Sequence, residues 1–579
     1  MLLHKANKNL CFGARYCGLG YAIHRSPRMR PSSHPGWPVR SFSTTRHASR
    51  PAVLAVSGNV TTDPEDLRCH TSHRWLFDEE MQLAGRYVPF DPQALGSVAS
   101  DAVGSSCLRI DKVAEDNVNR TLLLSFENGR EAVARFPYSV LGPTDLIAAS
   151  EAATTQFVRD TVGLPVPKVL AYSSRAHRTS VGAAYIITEK PRGVPLGAVS
   201  KHMQPTQQKA FIEDLAILLH SYSEIPFAWA GSLYFTEDIK DFPHSTDIFG
   251  GAALFPNNDP QYAIGPSVDW ELWRGARQHL DMDRGPWASP LSCVDKIIQC
   301  QQTWLETIPR ARHPQAPAYY NEEDASPAVH IAALDDLLAC LPHILPSAPK
   351  LMYASLGPHR QLGGNLHIDP SSHTVADIVD WQRATILPYF MQRISPVAFN
   401  GPPYPVPDDA PNEPEADVAM AKELIDAVNT GTDPNAKYLA LGLFRSLLEQ
   451  GARYWGERTI RPLFRLPLRT WQHSVLLLRQ QLVWMQDNWA ECVTDGAPCP
   501  LRFSEEESER ILHDAWQFSH RTAMSWMLAL RMDADDDGRV PTEKYAEARM
   551  LCDELAKEWD PDEKGPFPFQ DGGRTAMNS

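Results

Sequence analysis

The chain has 579 residues, 43% of them hydrophobic and 22% charged, with a formal net charge of −15. This is enough chain for a large core and more than one lobe, in an ordinary globular composition. The acidic balance argues against nucleic acid as a partner. No membrane span is expected, because Arg479 and two glutamines interrupt the longest apolar run, "SVLLLRQQLVWM". The ten cysteines are scattered with no CxxC pair, which fits reduced thiols and argues against a disulfide framework or a zinc site.

No acidic residue precedes Asp63, while Lys5, Lys8, Arg15, Arg25, Arg28, Arg30 and Arg40 lie among serines, histidines and small residues. A basic, serine-rich, acid-free leader reads as a mitochondrial transit peptide. Arg40 stands two residues before Phe42, as at a matrix-protease site, so residues 1–42 are taken as the leader and 43–73 as a linker. His70 and His73, near Cys69, are read as linker residues rather than metal ligands.

Residues 104–192 are strand-rich. "RTLLLSFENGREAVARFP" holds two β-compatible runs joined through Asn128-Gly129, a pair that tolerates positive φ and so signals a hairpin. "TDLIAASEAATTQFVRDTV" carries a helical stripe through Leu146, Ile147, Ser150, Thr154, Phe157 and Val158. Pro165 and Pro167 exclude helix from "LPVPKVLAYSS", and "GAAYIITEKPRG" reads as a buried strand ending at Glu189-Lys190.

After Gly193 the chain becomes mainly helical. Amphipathic stretches begin at "QQKAFIEDLAILLHSYSEI" and continue with "VAMAKELIDAVNTG", "KYLALGLFRSLLEQGARYWGER", "LRTWQHSVLLLRQQLVWMQDNWAECV" and "SEEESERILHDAWQFSHRTAMSWMLALRM". Proline-rich loops fall at "HPQAPAY" and "GPPYPVPDDAPNEPEAD". The expected fold is α+β and bilobal, a small β-rich N-lobe over 74–192 and a large helical C-lobe over 193–579. That is the plan of a protein kinase.

Several segments in order sharpen this: "HRWLFDEEMQLAGRYVPFD", "AVARFP", "SEAATTQFVRDTVGLPVPKVLAYSS", "VGAAYIITEK", "AGSLYF", "AIGPSVD", "DRGPW" and "IVDWQRATILPYF". Together, over about 73–550, they resemble the fungal branch of the aminoglycoside phosphotransferase family. The resemblance implies a protein-kinase-like fold, Mg²⁺ and ATP as cofactors, and an acceptor the sequence does not identify. It implies that Arg135 in "AVARFP" holds nucleotide phosphates, with Glu151 as its partner. It also implies that the backbone at Glu189 and Lys190 meets the adenine edge.

The phosphate-covering hairpin should lie at "KVAEDNVNRTLLLSF". Glu115, Asp116, Asn117, Val118, Asn119 and Arg120 stand there in place of glycines, which let backbone N–H groups approach phosphates. Asp116 adds a like charge that Arg120 is expected to offset in part.

The catalytic region spans 353–382. A phosphotransferase needs an Asp to accept the acceptor's proton, then an Asn and a second Asp to hold magnesium. Asn365 and Asp380 fit the metal positions. Pro358-His359-Arg360 stands where the family has His-Pro-Asp, and arginine is no base near neutral pH. His359 is a substitute base only if the loop slips by one residue. In His367-Ile368-Asp369 the residue five beyond the Asp is Thr374, so Asp369 is expected to open a turn. "DADDDGRV", at 533–540, imitates a calcium loop, but Lys544 holds the position of the bidentate Glu.

Three functional readings follow. One is a mitochondrial pseudokinase or scaffold that binds Mg·ATP, with impaired phosphoryl transfer and a protein partner. A second is an active small-molecule phosphotransferase with an altered base. A third, nucleotidyl transfer with ATP reversed, needs no Asp base.

Overall fold

The structure, a computed structural model, describes residues 10–13, 20–23, 64–240, 261–307, 319–346, 352–357, 364–392, 464–493 and 495–570, apart from 224, 465–466, 472–473, 536 and 562–564. Of the leader read over residues 1–42 only 10–13 and 20–23 are described, as two paired antiparallel strands; the amphipathic stretches at 418–431 and 437–458 and the proline-rich loop at 401–417 lie outside the described residues.

Helix α1 (Pro92–Val103) starts where Asp91 accepts the N–H groups of Gln93 and Ala94, with proline in its first turn. Strands β1 (Cys107–Glu115), β2 (Asn119–Phe126) and β3 (Glu131–Pro137) follow as a meander. At the β2–β3 turn Gly129 takes φ 78°, so the glycine of the Asn-Gly pair supplies the left-handed residue. Helix α2 (Thr144–Asp160) then crosses to β4 (Val169–Ser173) and β5 (Tyr185–Glu189). The five strands form one antiparallel sheet in the order β1-β2-β3-β5-β4.

Period-two alternation decides which side chain reaches the site. On β3, Ala132, Ala134 and Phe136 pack with Leu122, Leu124 and the α1 residues Leu95 and Ala99. Arg135 therefore faces the other way, toward α2. That helix is buried through Ala148, Ala149, Ala152 and Ala153, whose short side chains allow close approach.

The chain leaves the sheet through β6 (Val194–Pro195) and enters α3 (Pro205–Ser223). Strands β7 (Ser232–Phe235) and β8 (Tyr262–Gly265) make a hairpin. Its Tyr234 and Ala263 pack on Leu146, Ile147 and Ala149 of α2. Beyond it come α4 (Pro290–Thr307), α5 (Pro327–Ile344), β9 (Ala354–Gly357), β10 (Leu366–Ile368), β11 (Val375–Ile378) and β12 (Thr385–Pro388). Helices α6 (Val475–Asp487), α7 (Glu505–Arg531) and α8 (Tyr545–Lys557) complete the described part. Ser504 and Glu507 cap α7 reciprocally. Leu215, Leu219, Trp304, Leu337, Leu478 and Phe518 share the main core.

A five-stranded sheet with one helix between its third and fourth strands, joined by a short hinge to a helical lobe, is a protein-kinase-like α+β fold. Among the described residues no helix is long and apolar enough to cross a membrane.

The linker reading needs correction over 64–73. Leu67 joins the N-lobe core, and buried His70 meets the Tyr138 hydroxyl at 3.3 Å. Residues His73–Trp75 form a strand paired antiparallel with Arg539–Pro541. Leu76, Phe77, Leu528, Met532, Val540 and Phe569 pack beside that ladder. Apolar burial fixes this stretch, which sequence polarity alone did not reveal.

Candidate functional site

Strand β3 presents Arg135 and α2 presents Glu151, and the two form an ion pair. The second guanidinium nitrogen, Nη1, lies 3.6 Å from Asp380 Oδ1. One buried cation therefore ties a sheet strand, a helix and the end of β11. Burial pushes the Glu151 carboxyl up to about 7, against the pull of Arg135 and with a further push from Asp380. Burial also works against the Arg135 charge, but Glu151 and Asp380 outweigh it and hold that pKa above its ordinary value.

The β10–β11 register brings the metal candidates together. Leu366 stands opposite Ile378, and the Val379 N–H donates to the Asn365 carbonyl at 2.9 Å. Asn365 thus neighbours Asp380, which takes φ 61°. A non-glycine residue in this left-handed region costs about 1 kcal/mol or more and persists where its surroundings impose it. The donor set is one carboxylate and one amide oxygen. That suits Mg²⁺, which keeps several waters and takes phosphate oxygens. Among the described residues no cluster of three His, Cys, Asp or Glu forms a metal cage.

Strand β9 leads toward the candidate catalytic region. Gln392 Nε2 donates to the Ser355 carbonyl at 2.6 Å and to the Thr385 carbonyl at 3.2 Å, stapling β9 to β12. A Cβ on Gly357 would crowd the Gln392 amide, so a larger residue there would displace the staple. Pro358, His359 and Arg360 lie outside the described residues. Asp369 accepts the N–H groups of Ser371 and Ser372 at 2.7 and 3.1 Å, making the turn expected of it. His367 pairs with Asp377 and Pro195 across the small sheet, and burial lowers its pKa.

At the hinge, Lys190 Nζ lies 2.6 Å from Glu131, and the Glu189 carboxylate accepts the Lys168 N–H at 3.3 Å. Both side chains are thus engaged with neighbouring strands. Arg192 donates to buried Asp377 through its N–H at 2.6 Å and its guanidinium at 2.7 Å. Gly193 at φ 72° lets β6 pass the Ile368 carbonyl, which lies 2.5 Å from where a Cβ would sit.

The β1–β2 turn departs from expectation. Arg120 does not offset Asp116 toward a ligand. Its fully buried guanidinium donates to Glu115 at 3.0 Å and to the carbonyls of Arg68 and Arg86 at 2.5 and 3.2 Å. Glu115 also accepts from the N–H groups of Thr71 and Ser72 at 2.8 and 3.0 Å. Burial alone would raise its pKa, but the charges of His70 and Lys112, the Thr71 N–H and Arg120 hold it down at about 2. Asn119, noted in the sequence only as a non-glycine turn residue, pairs its side-chain amide with that of Gln382. No local signal announces a contact between residues 263 apart.

Two of the segments that carry the resemblance prove architectural. Tyr234 donates its hydroxyl to the Pro266 carbonyl at 2.7 Å, beside "IGP". Arg284 of "DRGPW" donates to the Leu272 carbonyl at 3.1 Å and stacks over Trp273 at 4.0 Å.

No family model matches the chain. A subtelomeric hrmA-associated cluster protein of Aspergillus fumigatus is 27% identical over 499 residues, covering 76% of this chain and 91% of that protein. Altered inheritance of mitochondria protein 9 of Yarrowia lipolytica is 25% identical over 312 residues, covering 48% of this chain and 52% of that protein. The chain resembles these fungal proteins. A solved structure described as a putative aminoglycoside phosphotransferase from Ralstonia eutropha aligns at 12% identity with a TM-score of 0.33, over 75% of this chain and 99% of that one. The strand order and hinge, rather than that superposition, define the fold.

Proposed function

We propose that the protein is a mitochondrial pseudokinase that binds Mg·ATP between its lobes and transfers phosphate poorly. The observation that carries this reading is Arg135 bridging Glu151 and Asp380, with Asn365 on the neighbouring strand. Arg135 would orient phosphates, and Glu151 would hold Arg135. Asn365 and Asp380 would hold Mg²⁺, which neutralises phosphate charge when bound. The defect lies at Arg360, five residues before Asn365, where the proton acceptor should stand. A guanidinium there favours gripping a terminal phosphate over deprotonating an alcohol. The acid-free leader supports a mitochondrial address, as do the relatives named as mitochondrial. A protein partner follows if holding nucleotide, rather than turning it over, is the task.

The retained set of Arg135, Glu151, Asn365 and Asp380 favours a second reading, an active small-molecule phosphotransferase with an altered base. ATP turnover by wild type and Arg360→Asp separates the two. Loss of a general base costs roughly 10²- to 10⁴-fold. Wild type should therefore be slow and Arg360→Asp faster by at least ~10²-fold. Wild-type turnover at the roughly 1–100 s⁻¹ of kinases, with no gain in the variant, overturns impairment and favours the second reading.

A further inference from the structure

The β1–β2 turn is held in three ways. The N–H groups of Val118 and Asn119 both donate to the Asp116 carboxylate at 2.7 Å, and the Asp116 N–H donates to the Asn119 carbonyl at 3.0 Å. In a phosphate-covering turn such N–H groups converge on the ligand's oxygens. The amides of Asn119 and Gln382 are buried and bond reciprocally, Asn119 Nδ2 to Gln382 Oε1 at 3.1 Å and Gln382 Nε2 to Asn119 Oδ1 at 2.7 Å. Gln382 stands two residues beyond Asp380, so this pair crosses from the N-lobe turn to the end of the candidate metal strand. Val118, at the tip, is buried with Leu141, Leu146 and Tyr234.

The Asp116 contacts have the geometry of the turn that Asp369 makes with Ser371 and Ser372, here at the place where the resemblance puts the phosphate cover. A carboxylate bonded by two backbone N–H groups does what a phosphate oxygen does in such a turn, with one negative charge. The amide pair is neutral and satisfies a donor and an acceptor on each side, so opening it exposes buried polar groups until something replaces them. A phosphate group entering beside Asp116 meets a like charge as well as occupied N–H donors.

We propose that the β1–β2 turn is a self-closed cover, in which the Asp116 carboxylate stands in for phosphate and the Asn119–Gln382 pair latches the turn to the metal-strand end. Phosphate then binds by exchange, displacing the carboxylate and opening the latch. The closure stands on the contacts alone; the identity of the displacing ligand rests on the nucleotide reading above.

The test combines hydrogen exchange of residues 116–120 in the nucleotide-free protein with calorimetry of Mg·ATP binding, on wild type, Gln382→Met and Asp116→Asn. Met keeps the volume and removes the latch, while Asn keeps an acceptor and removes the charge. Both variants should exchange faster over 116–120 and bind Mg·ATP roughly tenfold more tightly, the scale of one net hydrogen bond. Unchanged exchange in both variants overturns the latch whatever ATP does. Faster exchange with unchanged or weaker ATP binding, in a wild type that binds, overturns the exchange mechanism and leaves the nucleotide reading intact. If none of the three proteins binds Mg·ATP at millimolar concentration, the nucleotide reading fails and takes the displacement step with it, while the exchange rates still report the latch.

Discussion

Arg135 sets the electrostatics of the site because a single guanidinium faces Glu151 and, 3.6 Å away, Asp380. Taking the cation away strips buried Glu151 of its ion-pair partner. Arg135→Ala should therefore cost ~3–5 kcal/mol of stability, the usual penalty for stripping one partner from a buried pair. Glu151→Gln keeps an acceptor for Arg135 and relieves repulsion from Asp380, so its cost should stay under about 1 kcal/mol. Urea denaturation of both variants checks this, and equal losses would contradict the asymmetry. The Arg135–Glu151 contact was open in the sequence only through the family resemblance, which sets a strand cation against a glutamate of the following helix. The fate of Arg120 was not. Its acceptors include the carbonyls of Arg68 and Arg86, contributed by a segment whose polarity disguised its burial.

Among the elements, the turn between α7 and α8 has the sharp bend of a calcium loop but sets cations of the chain against its acidic groups. Gly538 makes the sharp bend at φ 80°, and Val540 joins a short ladder opposite Arg74. Two internal cations pair with its acidic groups. Lys544 Nζ lies 2.6 Å from Asp533, and Arg539 Nε donates to Asp535 at 2.8 Å. Neither millimolar calcium nor a chelator should move the melting temperature of the wild-type protein, and a calcium-dependent rise of several degrees would contradict that. Lys544 at the position of the bidentate Glu already pointed this way in the sequence. The β2–β3 hairpin and the helix–strand alternation of the N-lobe were equally open to local reading. The ladder joining residues 73–75 to 539–541 was not, nor was the β7–β8 hairpin behind α2. Pairing across long separations is decided by burial and topology, which leave no periodic trace.

Across the whole molecule the lobes are joined at the hinge through Arg192 and Asp377, behind α2 through the β7–β8 hairpin, and within the site through Arg135 and Gln382. The described N-terminal segment adds a layer of buried titratable groups whose acid response can be worked out. Burial lowers His70 from 6.5 to about 3 and His73 from 6.5 to about 4. Both are neutral when folded, so their contribution is complete above pH 6.5 and is lost as pH falls toward those values. Glu115, held at about 2 against an ordinary 4.5, adds a further loss below pH 4.5. Glu151, raised to about 7, runs the opposite way between 4.5 and 7. Stability should therefore fall gently from pH 6.5 to 4.5 and steeply below, as followed by urea midpoints. A midpoint that stays flat down to pH 4 contradicts this layer. The site itself is tested most directly by melting temperature with and without millimolar Mg·ATP, in wild type and in Asp380→Ala. Ligand that binds only the folded state raises stability in proportion to RT ln(1 + [L]/Kd). A magnesium-dependent rise in wild type that disappears in Asp380→Ala is the predicted result; no rise in wild type would contradict a nucleotide site at Arg135, Asn365 and Asp380.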